Sequence, residues 1–134
     1  MLVKDTEQDF LEAYDPRAYE PVAVTVDVVA LTVRDDRLMV VALERDTHPF
    51  QGKLSLPGMF VKPVAGLDFA PLDWYATQSL KQKAGIENVS VEQMYTSGWP
   101  GRDPRMHVIS VAYLAFAPDI PDPKPGSNAS SARL

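Results

Sequence analysis

Apolar and polar positions divide the chain into segments of distinct period. Residues 22–33, VAVTVDVVALTV, are almost continuously apolar and rich in β-branched side chains. That pattern predicts a strand buried on both faces. RDDR at 34–37 reads as a turn and LMVVALER at 38–45 as the return strand, so 22–45 is expected to form one long hairpin. VSVEQMYTSG at 89–98 alternates as a strand does, and HVISVAYLAFA at 107–117 is a second strong strand. The turn-rich WPGRDPR lies between them.

Two stretches carry a helical period. In DTEQDFLEAY, residues 5–14, Phe10, Leu11 and Tyr14 fall three and four apart on one face. The second helix begins near Pro71, a favourable first-turn position, and follows Leu72, Ala76, Leu80 and Lys83. Gly85 supplies its left-handed stop. DTHPFQGKLSLPG, 46–58, is expected to be loop with a short strand at Leu54–Leu56, and MFVKPVAGLDFA, 59–70, to be loop again. After Ala117 the chain becomes rich in Pro, Ser and Asp, and 118–134 reads as a Pro/Ser-rich loop. Strands outnumber helices and are partly antiparallel, which gives an α+β or mixed α/β class in a single domain, 1–134.

Composition narrows the chemistry. The net charge is −5 with no cluster of Lys and Arg, which argues against direct DNA or RNA binding by this chain. There are no cysteines, so disulfides, thiolate catalysis and cysteine zinc sites are excluded. The opening stretch MLVKDTEQDFLEAYDPRAYE has neither a signal core nor a transit pattern, and no apolar run approaches the ~20 residues that span a bilayer. The expectation is a cytoplasmic protein with no membrane partner.

QSLKQKAGI, residues 78–86, closes the second helix, and LPGMFV, 56–61, precedes it. Together they resemble the Nudix hydrolase family, whose signature is G-x5-E-x7-R-E-U-x-E-E-x-G-U with U aliphatic. Leu56, Pro57 and Gly58 match the turn that opens the motif, and LKQKAGI, 80–86, its close, across a loop longer than usual. PFQGKLSLPG, 49–58, and GRDPRMHVISVAYLAF, 101–116, are similar to segments of the Nudix proteins that act on ADP-ribose and of their regulatory relatives. The tryptophan expected before LPG is replaced by Leu54.

The resemblance implies an α/β/α sandwich around a mixed sheet. The stop at Arg133-Leu134 then falls before the last strand and helix the family usually has, as in a truncated gene, with any C-terminal winged-helix domain beyond it. In the family, glutamates at i, i+3 and i+4 share one helix face and hold Mg²⁺ through oxygen ligands. Counting back from Gly85, the Arg-Glu pair falls on Gln78 and Ser79 and the Glu-Glu pair on Gln82 and Lys83. Every carboxylate of that face is missing. An ammonium ~4 Å from one positive charge costs ~4 kcal/mol at an effective dielectric of ~20, and a dication roughly doubles that. The expectation is therefore no catalytic residue, no metal and no cofactor, with hydrolysis leaning to absent.

The remaining candidates are ligand contacts. Lys83 could take the metal's place on a diphosphate, or be a solvated cation at the helix end. The guanidinium forks of Arg102 and Arg105 suit phosphate oxygens. Arg45, Gly58 and Phe50 face the pocket by resemblance, with Phe50 and Trp99 as stacking candidates. Asp27, an acid in an apolar strand, is expected to be paired structurally, for instance with an arginine. His48 and His107 are assigned nothing. The resemblance implies ADP-ribose or another NAD-derived nucleotide as ligand, a homodimer, and contact with DNA only through a missing C-terminal domain. It points to the sensor part of a regulator of NAD metabolism. The alternative is a Mg²⁺-dependent ADP-ribose pyrophosphatase using Asp68, Asp73 or Asp103.

Overall fold

The computed structural model describes residues 6–66, 68–126 and 129–134. Helix α1 (Glu7–Ala13) is held by a capping box, in which Thr6 Oγ1 accepts from Asp9 N and Thr6 N donates to the Asp9 carboxylate. Of the face expected for Phe10, Leu11 and Tyr14, the helix carries Phe10 and Leu11, Tyr14 is its extended C-cap, and none of the three is buried. Local capping, not packing, defines this helix.

Strand β1 (Ala23–Arg34) is the axis of the fold. One edge pairs in parallel with β7 (Val108–Phe116) from Ala23↔Val108 to Leu31↔Phe116. Its other edge is shared. β2 (Arg37–Val40) pairs antiparallel with the second half, and β5 (Gly58–Phe60) pairs antiparallel with Thr25–Asp27. β6 (Val91–Ser97) extends the sheet from β7, so its order is β2-β1-β7-β6 with β5 on β1. The turn between β1 and β2 has positive φ at both Asp35 (51°) and Asp36 (58°), the geometry of a tight two-residue hairpin.

Three sequence expectations are corrected. The return strand is broken at Val41: β2 stays on β1, whereas β3 (Ala42–Arg45) leaves for a second sheet, in which it lies between β4 (Leu54–Ser55) and a strand of the tail. Val41 is fully buried and its N–H still reaches Ala30 O at 3.0 Å, so the break turns its side chain into the core. Gly58–Phe60 is strand, not loop, because β1 offers it an open edge. The tail is not loop throughout: β8 (Ala129–Arg133) pairs antiparallel with β3, from Ala42↔Arg133 to Arg45↔Ala129. Its small residues carry little strand propensity. The pairing with β3 and the packing of Ala129 and Ala132 on the core hold it instead.

Helix α2 (Leu72–Ala84) packs on the sheet through Tyr75, Ala76, Leu80 and Ala84, all buried. They meet Val26, Val28 and Ala30 of β1 and Val111, Tyr113 and Ala115 of β7 in one core. Gly85 ends the helix at φ 69°, with its N–H on Lys81 O at 3.1 Å, while Ile86 N reaches Leu80 O. A Pro-rich strap then crosses the helix end. Lys124 N donates to Ala84 O at 2.8 Å and Gly126 N to Lys83 O at 3.1 Å. A side chain at Gly126 would overlap the backbone of Gln82. Arg34 ties the strap to β1 by bonding the Asp122 carboxylate at 2.7 Å and the carbonyl of Ile120. No helix of the described residues is long and apolar enough to cross a membrane.

Candidate functional site

The two faces of β1 differ. Val26, Val28, Ala30 and Thr32 point into the core, whereas Thr25 and Asp27 point the other way and line a cleft of about 820 Å³. Gly58 and Phe60 of β5, Ser110 of β7, Arg45 of β3 and the end of α2 complete its walls. The cleft gathers all six residues that the sequence marks as ligand contacts: Arg45, Phe50, Gly58, Lys83, Arg102 and Arg105. Lys53 and Lys62 join them, and among the described residues two carboxylates, of Asp27 and Asp103, line the same cleft. An acidic chain thus concentrates six cations in one concavity, the distribution expected for an anionic ligand.

Local bonding sets these cations apart. Arg45 is fixed by the loop that follows it: its Nε donates to Pro49 O at 2.6 Å, and Gly52 N donates to its carbonyl at 2.8 Å. Phe50, with φ 61°, stands 56 % exposed in that loop, a half-open aromatic face at the cleft rim. Arg105 forms a fork on Asp103, Nε to Oδ1 at 3.0 Å and Nη2 to Oδ2 at 2.8 Å, and its guanidinium lies 4.9 Å from the Phe60 ring centroid. The Arg105 side-chain bonds hold the Asp103 carboxyl down to about 2. Lys83 lies closer to the interior. Burial lowers its pKa first, and the charges of Arg45 and Lys62 lower it further, with only Asp46 opposing.

Lys62, like Lys53, is a cleft-lining cation that the sequence reading missed. It follows β5, and Tyr75 of α2 holds its backbone by donating to Lys62 O at 2.5 Å while accepting from Ala70 N at 3.2 Å. With 59–70 read as loop, nothing placed Lys62 opposite the helix. Trp99, the second stacking candidate, is 76 % exposed and is not among the residues lining the cleft. Asp27 has hydroxyl partners and not an arginine: Thr25 Oγ1 donates to its Oδ2 at 2.9 Å, and Ser110 Oγ donates to the same oxygen. β1 and β7 place those donors side by side, since Thr25 is the register partner of Ser110.

The four helix positions that the resemblance matches to the motif separate. Gln82 and Lys83 line the cleft. Gln78 is tied to Gln82, amide to amide, at 3.3 Å. Ser79 is fully buried, and its hydroxyl has no partner among the described residues.

The mixed sheet, the turn at Gly58 and the helix ended by Gly85 against a polar cleft make up a Nudix fold. No family model matches the sequence. Its similarity to individual proteins is nevertheless consistent. The ADPR responsive transcriptional repressor NtrR of Acinetobacter baylyi is 30% identical over 111 residues, which are 83% of this chain and 43% of that one. The ADP-ribose pyrophosphatase of Methanocaldococcus jannaschii is 31% identical over 100 residues, 73% of this chain and 53% of that one. The Nudix domain of Shewanella oneidensis NrtR, solved as a complex with ADP ribose, superposes with a TM-score of 0.86 at 29% identity, over 96% of this chain and 82% of that one. The chain belongs to the Nudix superfamily. It spans about half the length of the curated relatives it matches.

The metal of Nudix hydrolases does not fit the helix face found here. A hard dication needs several anionic oxygens. This face offers two amides bonded to each other, a sealed hydroxyl and an ammonium. The acids considered as substitutes are dispersed. Asp73 accepts from Tyr113 Oη at 3.3 Å, Asp68 from the adjacent Phe69 N at 2.7 Å, and Asp103 is engaged by Arg105. Among the described residues no group of three or more His, Asp or Glu is placed to hold a metal ion.

Proposed function

We propose that this Nudix domain binds ADP-ribose, or a closely related nucleoside diphosphate, without hydrolysing it. It would serve as the ligand-sensing part of a transcriptional regulator of NAD metabolism. The observation that carries the reading is Lys83. It occupies a glutamate position of the Nudix motif and lines the cleft with Arg45 and Lys62. A lysine there supplies the positive charge that a dication would otherwise bring to a diphosphate, but it activates no water. Arg102 and Arg105 add guanidinium donors for the remaining phosphate oxygens.

The relatives' descriptions agree with this reading, one being an ADPR responsive repressor and another an ADP ribose complex. DNA recognition is proposed for a part of such a protein outside these residues, and pairing into a homodimer as its working form. The competing reading, a metal-dependent pyrophosphatase, is favoured by the similarity to the archaeal enzyme.

Calorimetry separates them. ADP-ribose is expected to bind with the same affinity in EDTA and in Mg²⁺, and chromatography of the incubated nucleotide to show no AMP. Metal-dependent release of AMP at ordinary enzymatic rates would overturn the sensor in favour of the pyrophosphatase.

A further inference from the structure

Among the described residues, the cleft contains one carboxylate that no cation neutralises by direct contact. Asp103 is held in a fork by Arg105, but among the described residues Asp27 is bonded only by Thr25 and Ser110, both on Oδ2. Its Oδ1 accepts no hydrogen bond among the described residues. Asp27 is half-buried at the cleft wall, and Oδ1 lies over Gly58, where any side chain would overlap it. The missing side chain at Gly58 leaves room for the carboxylate, and two hydroxyls fix its other oxygen. One acceptor is thereby presented in a set direction.

An acceptor of that kind works against a phosphate and in favour of a hydroxyl. Two anionic oxygens brought together in a partly desolvated cleft repel, whereas a sugar hydroxyl donates to a carboxylate in a charge-assisted bond. We infer that Asp27 reads a ribose hydroxyl of the ligand, so that the cleft selects a sugar-bearing diphosphate over a bare one. This rests on the proposed binding function. In it the cations attract any diphosphate, and Asp27 distinguishes between them. Ser110 and Thr25 are its positioning residues, since they occupy Oδ2 and leave Oδ1 free.

The test is calorimetry on the full chain, wild type and Asp27→Asn, with ADP-ribose and with inorganic pyrophosphate. Asparagine can keep its carbonyl on the two hydroxyls, but it then turns an NH₂ donor toward the ligand. Affinity for ADP-ribose is expected to fall about tenfold, while pyrophosphate binds as before or tighter. Equal loss for both probes would mean that Asp27 is only a structural pin between β1 and β7, and no loss for ADP-ribose would also overturn the inference. A second measurement does not depend on the variant's folding. Wild-type protein is titrated with ADP-ribose analogues lacking the hydroxyls of each ribose in turn. One of them is expected to bind about tenfold more weakly, and if none does, the inference fails. If wild-type protein binds neither ADP-ribose nor pyrophosphate, the binding function itself is refuted and the inference with it. If it binds both and neither series discriminates, only the inference falls.

Discussion

The two faces of β1 are made from alternating residues of one strand and obey different rules. On the core face, Val26, Val28 and Ala30 meet Tyr75, Ala76 and Leu80 of α2 without exposed surface. On the cleft face, Thr25 and Asp27 line, with Ser110 and Gly58, a cleft that also holds six cations. The core face seats α2 on the sheet. In the proposed function the cleft face decides what the domain binds. Leu80, Gly85 and Ile86 of the helix end serve the core side and the capping of the helix, whereas Gln82 and Lys83 line the cleft.

The largest effect is expected where the faces share one residue. In Gly58→Ala the new Cβ would overlap Asp27 Oδ1 and stand 2.9 Å from the Val26 carbonyl oxygen, which is backbone and cannot rotate away. Overpacking of this kind costs about 3 kcal/mol, read as a lower urea midpoint, and ADP-ribose binding should fall with it. Unchanged stability would mean that β5 is free to shift away from β1.

Lys83→Glu attacks the cleft face alone. Reversing a charge beside a diphosphate is expected to weaken binding about a hundredfold, or ~2.7 kcal/mol, with the urea midpoint nearly unmoved. Unchanged affinity would make Lys83 a bystander. Wild-type pH behaviour sharpens the point. Burial and the Arg45 and Lys62 charges set the folded pKa of Lys83 below its unfolded value. The native state therefore binds fewer protons across that alkaline window, and this residue's contribution to stability rises with pH there. A bound diphosphate supplies the missing counter-charge and raises the pKa again. Binding should then take up protons, and affinity should fall as pH rises through the folded pKa. Buffers of different ionisation enthalpy measure that uptake, and it should vanish in Lys83→Met.

Tyr75→Phe tests the core face. The ring is 1 % exposed, and its hydroxyl bonds Lys62 O and Ala70 N. Both lose a partner in the variant, a cost of about 1.5 kcal/mol. Because Lys62 lines the cleft, a smaller loss of ligand affinity, about twofold to threefold, should accompany it. A drop in stability with no change in affinity would show that Lys62 needs no support from the helix.

The strength of local pattern decided what could be read from the sequence. β1, β7 and α2 carry sustained periodicity or a glycine stop, and each appears within a residue or two of its expected bounds. The cations could be named individually because the flanking segments resemble a known family, and the fold then brings Arg45, Lys83, Arg102 and Arg105 to one cleft. What stayed hidden depends on pairing across the fold. Gly58–Phe60 becomes strand only on the edge that β2 leaves open, and Ala129–Arg133 only beside β3. Asp27 misled for the same reason. Its partners are hydroxyls on its own strand and on a strand more than eighty residues away, and neither carries a charge that would suggest an acid's partner.

The smallest effect belongs to Ser79, which is counted as a motif position by resemblance and lies on the core side. A buried hydroxyl without a partner costs stability, and alanine removes it while leaving only a small void. Ser79→Ala should therefore be neutral or slightly stabilising, within about 0.5 kcal/mol, and ligand affinity should not change. The outcome separates two histories of the helix face. If Ser79 is only packed, the face has become part of the core and alanine serves as well. A loss above about 1 kcal/mol would reveal a hydrogen-bonded water or a second conformation of the hydroxyl. A loss of ADP-ribose affinity at unchanged stability would return Ser79 to the binding site and break the division between the two faces.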